Sequence, residues 1–115
     1  MKTLKFKFDL NCKFAIYVPS TQNVSESVDN SDQVKYVLTE LSRIFGGATT
    51  TPARGAWICD DGETVLEKID IVYSFCTSEQ AAEIFDAVIE ICENLKKEMN
   101  QEAITLEYNG QVKFI

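Results

Sequence analysis

The sequence contains no histidine. This absence excludes Ser-His and Cys-His nucleophile pairs, and it excludes metal sites that depend on imidazole ligands. No C-x-x-C spacing occurs either, so neither a thiolate metal site nor a bound cofactor is expected. The cysteines lie within strand or helix patterns, which predicts small buried apolar side chains in a reducing compartment; a disulfide or a reactive thiol is the alternative. They are Cys12, Cys59, Cys76 and Cys92.

Long apolar runs and an excess of basic residues are also absent. No stretch approaches the roughly 20 apolar residues of a membrane span, and the first residues lack the apolar core of a signal peptide. We therefore expect a cytoplasmic protein that does not enter a membrane. With 11 Lys and Arg against 18 Asp and Glu, the net charge is −7. This charge disfavours direct binding to nucleic acid and favours a basic partner.

The chain has 115 residues, so one domain over 1–115 is predicted. Residues 4–18 alternate apolar and polar side chains, which predicts one long strand or two strands joined by a bulge. Helical spacing begins at Asp32, with Ser31 as the predicted N-cap and Gly46-Gly47 as the stop. Residues 48–54 are predicted to be a loop that leads into a short strand over 55–59.

The second half of the chain repeats this order of elements. Asp60-Asp61-Gly62 predicts a hairpin turn before a strand over 65–75, and Glu67 interrupts its apolar face, so a bulge or a strand end is expected there. Thr77-Ser78 is predicted to cap a helix with an apolar stripe over 81–99. A strand over 103–108, an Asn109-Gly110 turn and a strand over 111–115 complete the pattern.

These elements predict an α+β fold of the ferredoxin-like β-α-β-β-α-β type with an added C-terminal hairpin strand. Two helices on one face of an antiparallel sheet would cover both apolar helix stripes. A two-residue turn places Leu106 opposite Lys113 and Thr105 opposite Phe114, so neither face of this last hairpin is cleanly apolar. We interpret it as an edge hairpin that another body, such as a second subunit, partly covers.

The predicted second helix carries five carboxylates on the face opposite its apolar stripe. Their spacing of four, three, four and three residues gives a column about 21 Å long. One interpretation is the solvated face of an amphipathic helix. The other is a row of anions that imitates a nucleic-acid backbone and binds a partner. The five residues are Glu79, Glu83, Asp86, Glu90 and Glu93.

The segment between Gly46 and Gly55 is a second candidate site. A loop containing Thr49 and Arg54, close to Trp57, could hold an anion or another small ligand through backbone amides and the guanidinium group. The alternative is a helix C-cap and crossover loop in which the indole plugs the sheet. Glu67 is expected to pair with Arg54 or Arg43 as readily as to act as a base, so an enzyme is not expected.

Several short motifs occur in an order that resembles a small bacterial domain of unknown function. In this sequence they are the FGGAT segment at 45–49, GAW at 55–57, DG at 61–62, VLE at 65–67 and QE at 101–102. The resemblance covers roughly the last two-thirds of the chain and implies an α+β domain without an assigned activity. The size and acidity also resemble the general profile of phage and mobile-element inhibitors, including anti-CRISPR proteins.

Together these observations predict a non-enzymatic acidic protein that inhibits a basic nucleic-acid-binding partner through the carboxylate column. The alternative is a homodimeric domain that binds a small ligand or anion through the segment between Gly46 and Gly55.

Overall fold

The computed structural model describes residues 6–22 and 26–115. The elements are β1 (Cys12–Pro19), β2 (Thr21–Gln22), β3 (Glu26–Ser27), α1 (Ser31–Phe45), β4 (Thr49–Ile58), β5 (Thr64–Cys76), α2 (Ser78–Glu98), β6 (Thr105–Tyr108) and β7 (Gln111–Phe114).

Five strands form one antiparallel sheet in the order β4-β5-β1-β6-β7, and β2 pairs with β3 in a separate small sheet. Both helices pack on the same face of the large sheet, where α1 contributes Val37 and α2 contributes Val88 to the core. The first four strands of the large sheet in chain order have the ferredoxin-like arrangement, and β7 extends its edge. The predicted fold class is therefore confirmed.

The strand β1 supplies the centre of the core because alternate side chains point to the helices. Cys12, Phe14, Ile16 and Val18 are all buried, as the alternation predicts. The ring of Phe14 contacts aromatic rings from three other elements, with centroid distances of 4.8 to 5.6 Å. Such aromatic contacts stabilise a core beyond the area that they bury. The three rings belong to Phe45, Phe85 and Tyr108.

The helix ends follow the predicted signals with one difference. Gly46 ends α1 in the left-handed conformation (φ 87°), and the Thr77 side chain accepts a hydrogen bond from the Gln80 amide at 3.1 Å at the start of α2. The prediction of Ser31 as the N-cap of α1 is wrong by one residue. Asn30 occupies the cap, and its side-chain amide instead donates to Asp70 Oδ2 at 2.9 Å.

The predicted long strand over 4–18 begins only at Cys12. Cys76, the last residue of β5, lies opposite Cys12, and Tyr108, the last residue of β6, lies opposite Phe14. Residues 6–11 therefore run past the ends of both neighbouring strands and form no strand. Leu4, which the same prediction included, lies outside the described residues.

The predicted loop over 48–54 is wrong, because β4 already begins at Thr49. This strand pairs with β5 without interruption, from Thr49 opposite Tyr73 to Ile58 opposite Thr64. Pro52 is tolerated because β4 is an edge strand, where a missing N–H can face away from the ladder. The unbroken register also contradicts the bulge that was expected at Glu67.

The hairpin of β4 and β5 extends beyond the rest of the sheet. The last residue of β1, Pro19, lies opposite Ile69, so residues 54–68 project as an arm that neither helix covers. Apolar side chains are exposed on both faces of this arm, with Ile58 and Leu66 on one face and Trp57 on the other.

The C-terminal hairpin turns at Asn109 and Gly110, which both have positive φ. Its register confirms the predicted pairs of Leu106 with Lys113 and Thr105 with Phe114. Phe114 is exposed, and what covers this hairpin stays a prediction. No helix of the described residues is long and apolar enough to cross a membrane, and the cytoplasmic location also stays a prediction.

Candidate functional site

An aromatic side chain and a carboxylate meet on the arm. Trp57 lies opposite Val65 in the ladder, and Glu67 lies two residues farther along β5 on the same face. The indole Nε1 of Trp57 donates a hydrogen bond to Glu67 Oε1 at 2.9 Å. Both side chains are exposed, and 51% of Trp57 is accessible. The ring face and the carboxylate are thus both available to a ligand.

A cavity of about 450 Å³ adjoins this pair in a notch that opens where β1 ends. Because β1 pairs with β5 only as far as Ile69, no strand of the described residues pairs with the β1-facing edge of β5 over 64–68. Ser20, just after β1, closes the notch by donating its hydroxyl to the Lys68 carbonyl at 2.6 Å. The cavity is lined by Ser20, Thr21, Ser27, Val28, Trp57, Val65, Leu66, Glu67 and Lys68.

The lining suits a small ligand that carries a positive charge and a flat ring. An indole face and a carboxylate both attract a cation, and the indole also offers a flat apolar surface for stacking. Lys68 also lines the cavity, but its side chain leaves β5 on the opposite face of the arm, across from Arg54, whereas the hydroxyl residue Thr21 adds a polar contact. The volume falls within the range of about 300–1,000 Å³ that is typical of small-molecule sites.

The structure does not bring the predicted ligand-binding residues Thr49, Arg54 and Trp57 together. All three lie on β4, and eight residues of extended strand separate Thr49 from Trp57, roughly 27 Å. Arg54 points to the opposite face, where it lies across from Lys68 and lines a second hollow with Pro52. The three residues would have formed one site only if this segment were a loop.

The expected partners of Glu67 are also corrected. Glu67 accepts its hydrogen bond from Trp57, while Arg54 lies on the other face of the arm. Arg43 is on α1, where its Nε lies 3.6 Å from Glu40 Oε1. Sequence reasoning singled out Trp57 and Glu67 separately and missed Ser20. A two-residue turn at Asp61-Gly62 would have paired Trp57 with Leu66 and put Glu67 on the other face. The structure instead turns over residues 60–62, and this added residue places the indole beside the carboxylate.

The five carboxylates of α2 form an exposed column, opposite the side of the helix that packs into the core. Of these five carboxylates, only Glu93 forms an ion pair with a described residue, and its partner is Lys96 Nζ at 3.3 Å. The geometry matches the predicted column. Its role as a binding surface for a basic nucleic-acid-binding partner stays a prediction, since no contact in the structure bears on it.

The thiols differ in their surroundings, and all four are free. Cys12, Cys76 and Cys92 are buried, as predicted, whereas Cys59 lies half-buried at the hairpin turn. Cys12 Sγ accepts a hydrogen bond from the Asn109 side-chain amide at 3.3 Å, and this bond lowers the pKa of Cys12. Burial raises the pKa of Cys76 to about 11 and that of Cys92 to about 12.

The acidic turn residues do not assemble a metal site. Asp61 Oδ1 accepts hydrogen bonds from the Cys59 thiol and from the Glu63 amide, the latter at 3.0 Å. The bond from the thiol makes the largest contribution to a lowered pKa of Asp61, and the bond from the amide adds to it. Residues 6–22 and 26–115 contain no group of three or more Cys, Asp or Glu side chains that could hold a metal ion.

Comparison with known proteins identifies the fold through solved structures alone. No family model matches the chain, and no curated protein matches it. The resemblance to a domain of unknown function therefore stays a prediction. A phage SAM lyase in complex with S-methyl-5′-thioadenosine matches with a TM-score of 0.68 and 19% identity, over 98% of this chain and 95% of that chain.

A phage SAM lyase in the apo state matches with a TM-score of 0.70 and 18% identity, over 99% of this chain and 95% of that chain. At this identity the likeness shows the fold. The proteins that share the fold are phage proteins, in keeping with the mobile-element profile, but they are enzymes. The predictions of a non-enzymatic acidic inhibitor and of a chain without enzymatic activity are therefore contradicted. The chain has the fold of phage SAM lyases over nearly its full length.

Proposed function

We propose that this protein cleaves S-adenosylmethionine (SAM) and releases S-methyl-5′-thioadenosine. The observation that carries the proposal is the contact between Trp57 and Glu67 beside a cavity of about 450 Å³. The fold supports it, because a protein with the same fold is a SAM lyase in complex with S-methyl-5′-thioadenosine.

The site fits the flat ring and the positive charge of SAM. The substrate carries a sulfonium cation, an ammonium group, a carboxylate and a flat adenine ring. The adenine would stack on the exposed indole of Trp57, and the cationic part would lie against Glu67. Lys68 lines the cavity as well, but its side chain leaves β5 on the opposite face, so this fit rests on the indole and on Glu67.

The named product fixes the bond that breaks. S-methyl-5′-thioadenosine keeps the methyl and adenosyl groups on sulfur, so cleavage occurs between sulfur and the γ-carbon of the amino-acid chain. The bonding electron pair goes to sulfur, which becomes a neutral thioether. In the route that we favour, a substrate carboxylate oxygen attacks the γ-carbon and closes a lactone, without water and without a proton transfer.

This route needs orientation more than it needs a base. The step is already intramolecular, so the site acts by holding the substrate in the conformation that places its carboxylate near the γ-carbon. Glu67 then contributes to substrate binding more than to the rate of the chemical step, because the positive charge that it binds disappears from sulfur as the bond breaks. If Glu67 instead removed a β-proton, the four-carbon product would be an alkene. Identification of the products separates these two routes.

The test is incubation of the purified chain with SAM and identification of the products by mass spectrometry and NMR. We expect S-methyl-5′-thioadenosine and a lactone to form in equal amounts, well above the slow decomposition in a protein-free control. Calorimetry with S-methyl-5′-thioadenosine measures binding in parallel. Binding without release above the protein-free control would contradict the proposal, as would the absence of both.

A further inference from the structure

The residues before β1 form an amphipathic segment that has no partner strand in the described chain. Residues 6–10 of this segment form the tail. Its apolar side chains alternate with charged ones, and they are exposed: Phe6 by 67%, Phe8 by 75% and Leu10 by 44%. The tail continues β1, the central strand of the sheet, but runs beyond the ends of β5 and β6.

The tail is complementary to a second copy of itself. In an antiparallel pair centred on Phe8, each Phe6 lies opposite Leu10 of the other copy, and Phe8 lies opposite Phe8. The charged residues then match, because each Lys7 lies opposite Asp9. A parallel in-register pair would instead place Lys7 opposite Lys7. Like charges directly opposite one another destabilise a ladder, whereas opposite charges and aromatic pairs stabilise it.

We propose that the tail is a dimerisation strand, and that two copies of this chain pair through residues 6–10 about a two-fold axis at Phe8. The pairing gives the tail the backbone partners that the described residues of its own chain do not supply. It also places the apolar side chains of both tails on one face and the matched charges on the other. The interface is isologous, as a two-fold axis requires.

The geometry leaves room for the two folded bodies. In this register the two Cys12 residues, where the sheets begin, lie eight residues apart along the ladder, or roughly 27 Å. The contact is small, and small contacts give reversible association. The candidate active site lies at the other end of β1, beyond Pro19, so the proposal is independent of the proposed lyase activity.

The test uses charge reversal and sedimentation equilibrium of the full chain. Wild type should show a monomer–dimer equilibrium that weakens with added salt. Lys7→Asp brings two carboxylates together at both cross-strand pairs, and Asp9→Lys brings two lysines together there, so each single variant should dimerise at least about tenfold more weakly. The double variant Lys7→Asp/Asp9→Lys should recover dimerisation, because both pairs are again opposite in charge.

Mixing the two single variants gives the sharpest readout. Lys7→Asp and Asp9→Lys should each be monomeric but should form a heterodimer when combined, since every cross-strand pair is then attractive. Phe8→Cys should form a covalent dimer under mild oxidation, whereas Lys7→Cys, which is off the axis, should do so far less. A monomeric wild type, or an assembly that both single reversals leave unchanged, would overturn the proposal.

Discussion

Trp57 and Glu67 lie on neighbouring strands of an arm that no helix covers, and a hydrogen bond of 2.9 Å joins the indole nitrogen to the carboxylate. The bond fixes the orientation of both side chains while the ring face and part of the carboxylate stay exposed. An exposed aromatic side chain that is held by a charged hydrogen bond is already oriented for a ligand, which lowers the entropy cost of binding.

The indole should contribute through stacking. Trp57→Ala removes the stacking surface, and we expect kcat/KM for SAM to fall by about 10- to 100-fold, from a loss of roughly 1–3 kcal/mol. Trp57→Phe keeps a ring but loses the hydrogen bond to Glu67, so its effect should be smaller. Steady-state kinetics check this. Equal activity of Trp57→Ala and wild type would remove the indole from the site.

Glu67 should act mainly in binding. Glu67→Gln keeps the size of the side chain but removes the charge, and a charged hydrogen bond or ion contact is worth about 1.5–3 kcal/mol. We therefore expect KM to rise by about 10- to 100-fold with a smaller change in kcat. The matched control is Glu83→Gln on the exposed face of α2, which should behave as wild type. A loss confined to kcat would instead assign Glu67 as a base.

Ser74 holds the end of α1 against the sheet. It is a buried polar residue on the helix-facing side of β5, and its hydroxyl donates to the Gly47 carbonyl at 2.7 Å. Ser74→Ala leaves that carbonyl without this donor, so we expect the free energy of unfolding to fall by about 1–3 kcal/mol. Ser74→Cys has a side chain of similar size that is a weaker donor, so its free energy of unfolding should lie between those of wild type and Ser74→Ala. Urea unfolding measures all three proteins.

The carboxylate column should oppose stability without serving catalysis. Adjacent carboxylates in the column repel one another by about 0.2–0.5 kcal/mol per pair. Of the five, only Glu93 forms an ion pair with a described residue. The double variant Glu83→Lys/Glu90→Lys should therefore unfold at a slightly higher temperature at low salt, and it should cleave SAM at the wild-type rate. A loss of activity in the folded variant would show that the column acts in the reaction.

The buried thiols should make the fold sensitive to alkali. Burial raises the pKa of Cys76 to about 11 and that of Cys92 to about 12, from an ordinary 9.0. Above pH 9 the unfolded chain loses these protons while the folded chain keeps them, so stability falls as pH rises from 9 towards 11.

Urea unfolding at about pH 8, 9 and 10 measures this dependence. Cys92→Ala should show a shallower loss between about pH 9 and 10, whatever its stability at the lowest pH. The matched control is Ser74→Ala, which alters a buried side chain that does not titrate and should keep the wild-type slope. A Cys92→Ala slope equal to that of wild type would contradict the assignment.

The sequence pattern predicted most of the fold because local physics sets it. The alternation in β1, the glycine that ends α1 at position 46 and the Asn109-Gly110 turn each impose a local backbone geometry. The errors lie where a strand needs a neighbour. Residues 6–11 alternate like a strand but pair with no other strand of residues 6–22 and 26–115, and residues 49–54 have the composition of a loop but lie beside β5.

The sequence by itself determined the order of the two helices and of the strands of the large sheet, the C-cap of α1, the N-cap of α2 and the apolar stripes, because these depend on residues only a few positions apart. The tertiary structure alone decided that β5 extends beyond the end of β1, and this difference in length opens the notch beside Glu67. It also decided that Arg54 and Trp57 point to opposite faces, since the side to which a residue points depends on whether the chain is extended there. Pairing between distant segments fixed the candidate site, and single-residue properties do not encode it.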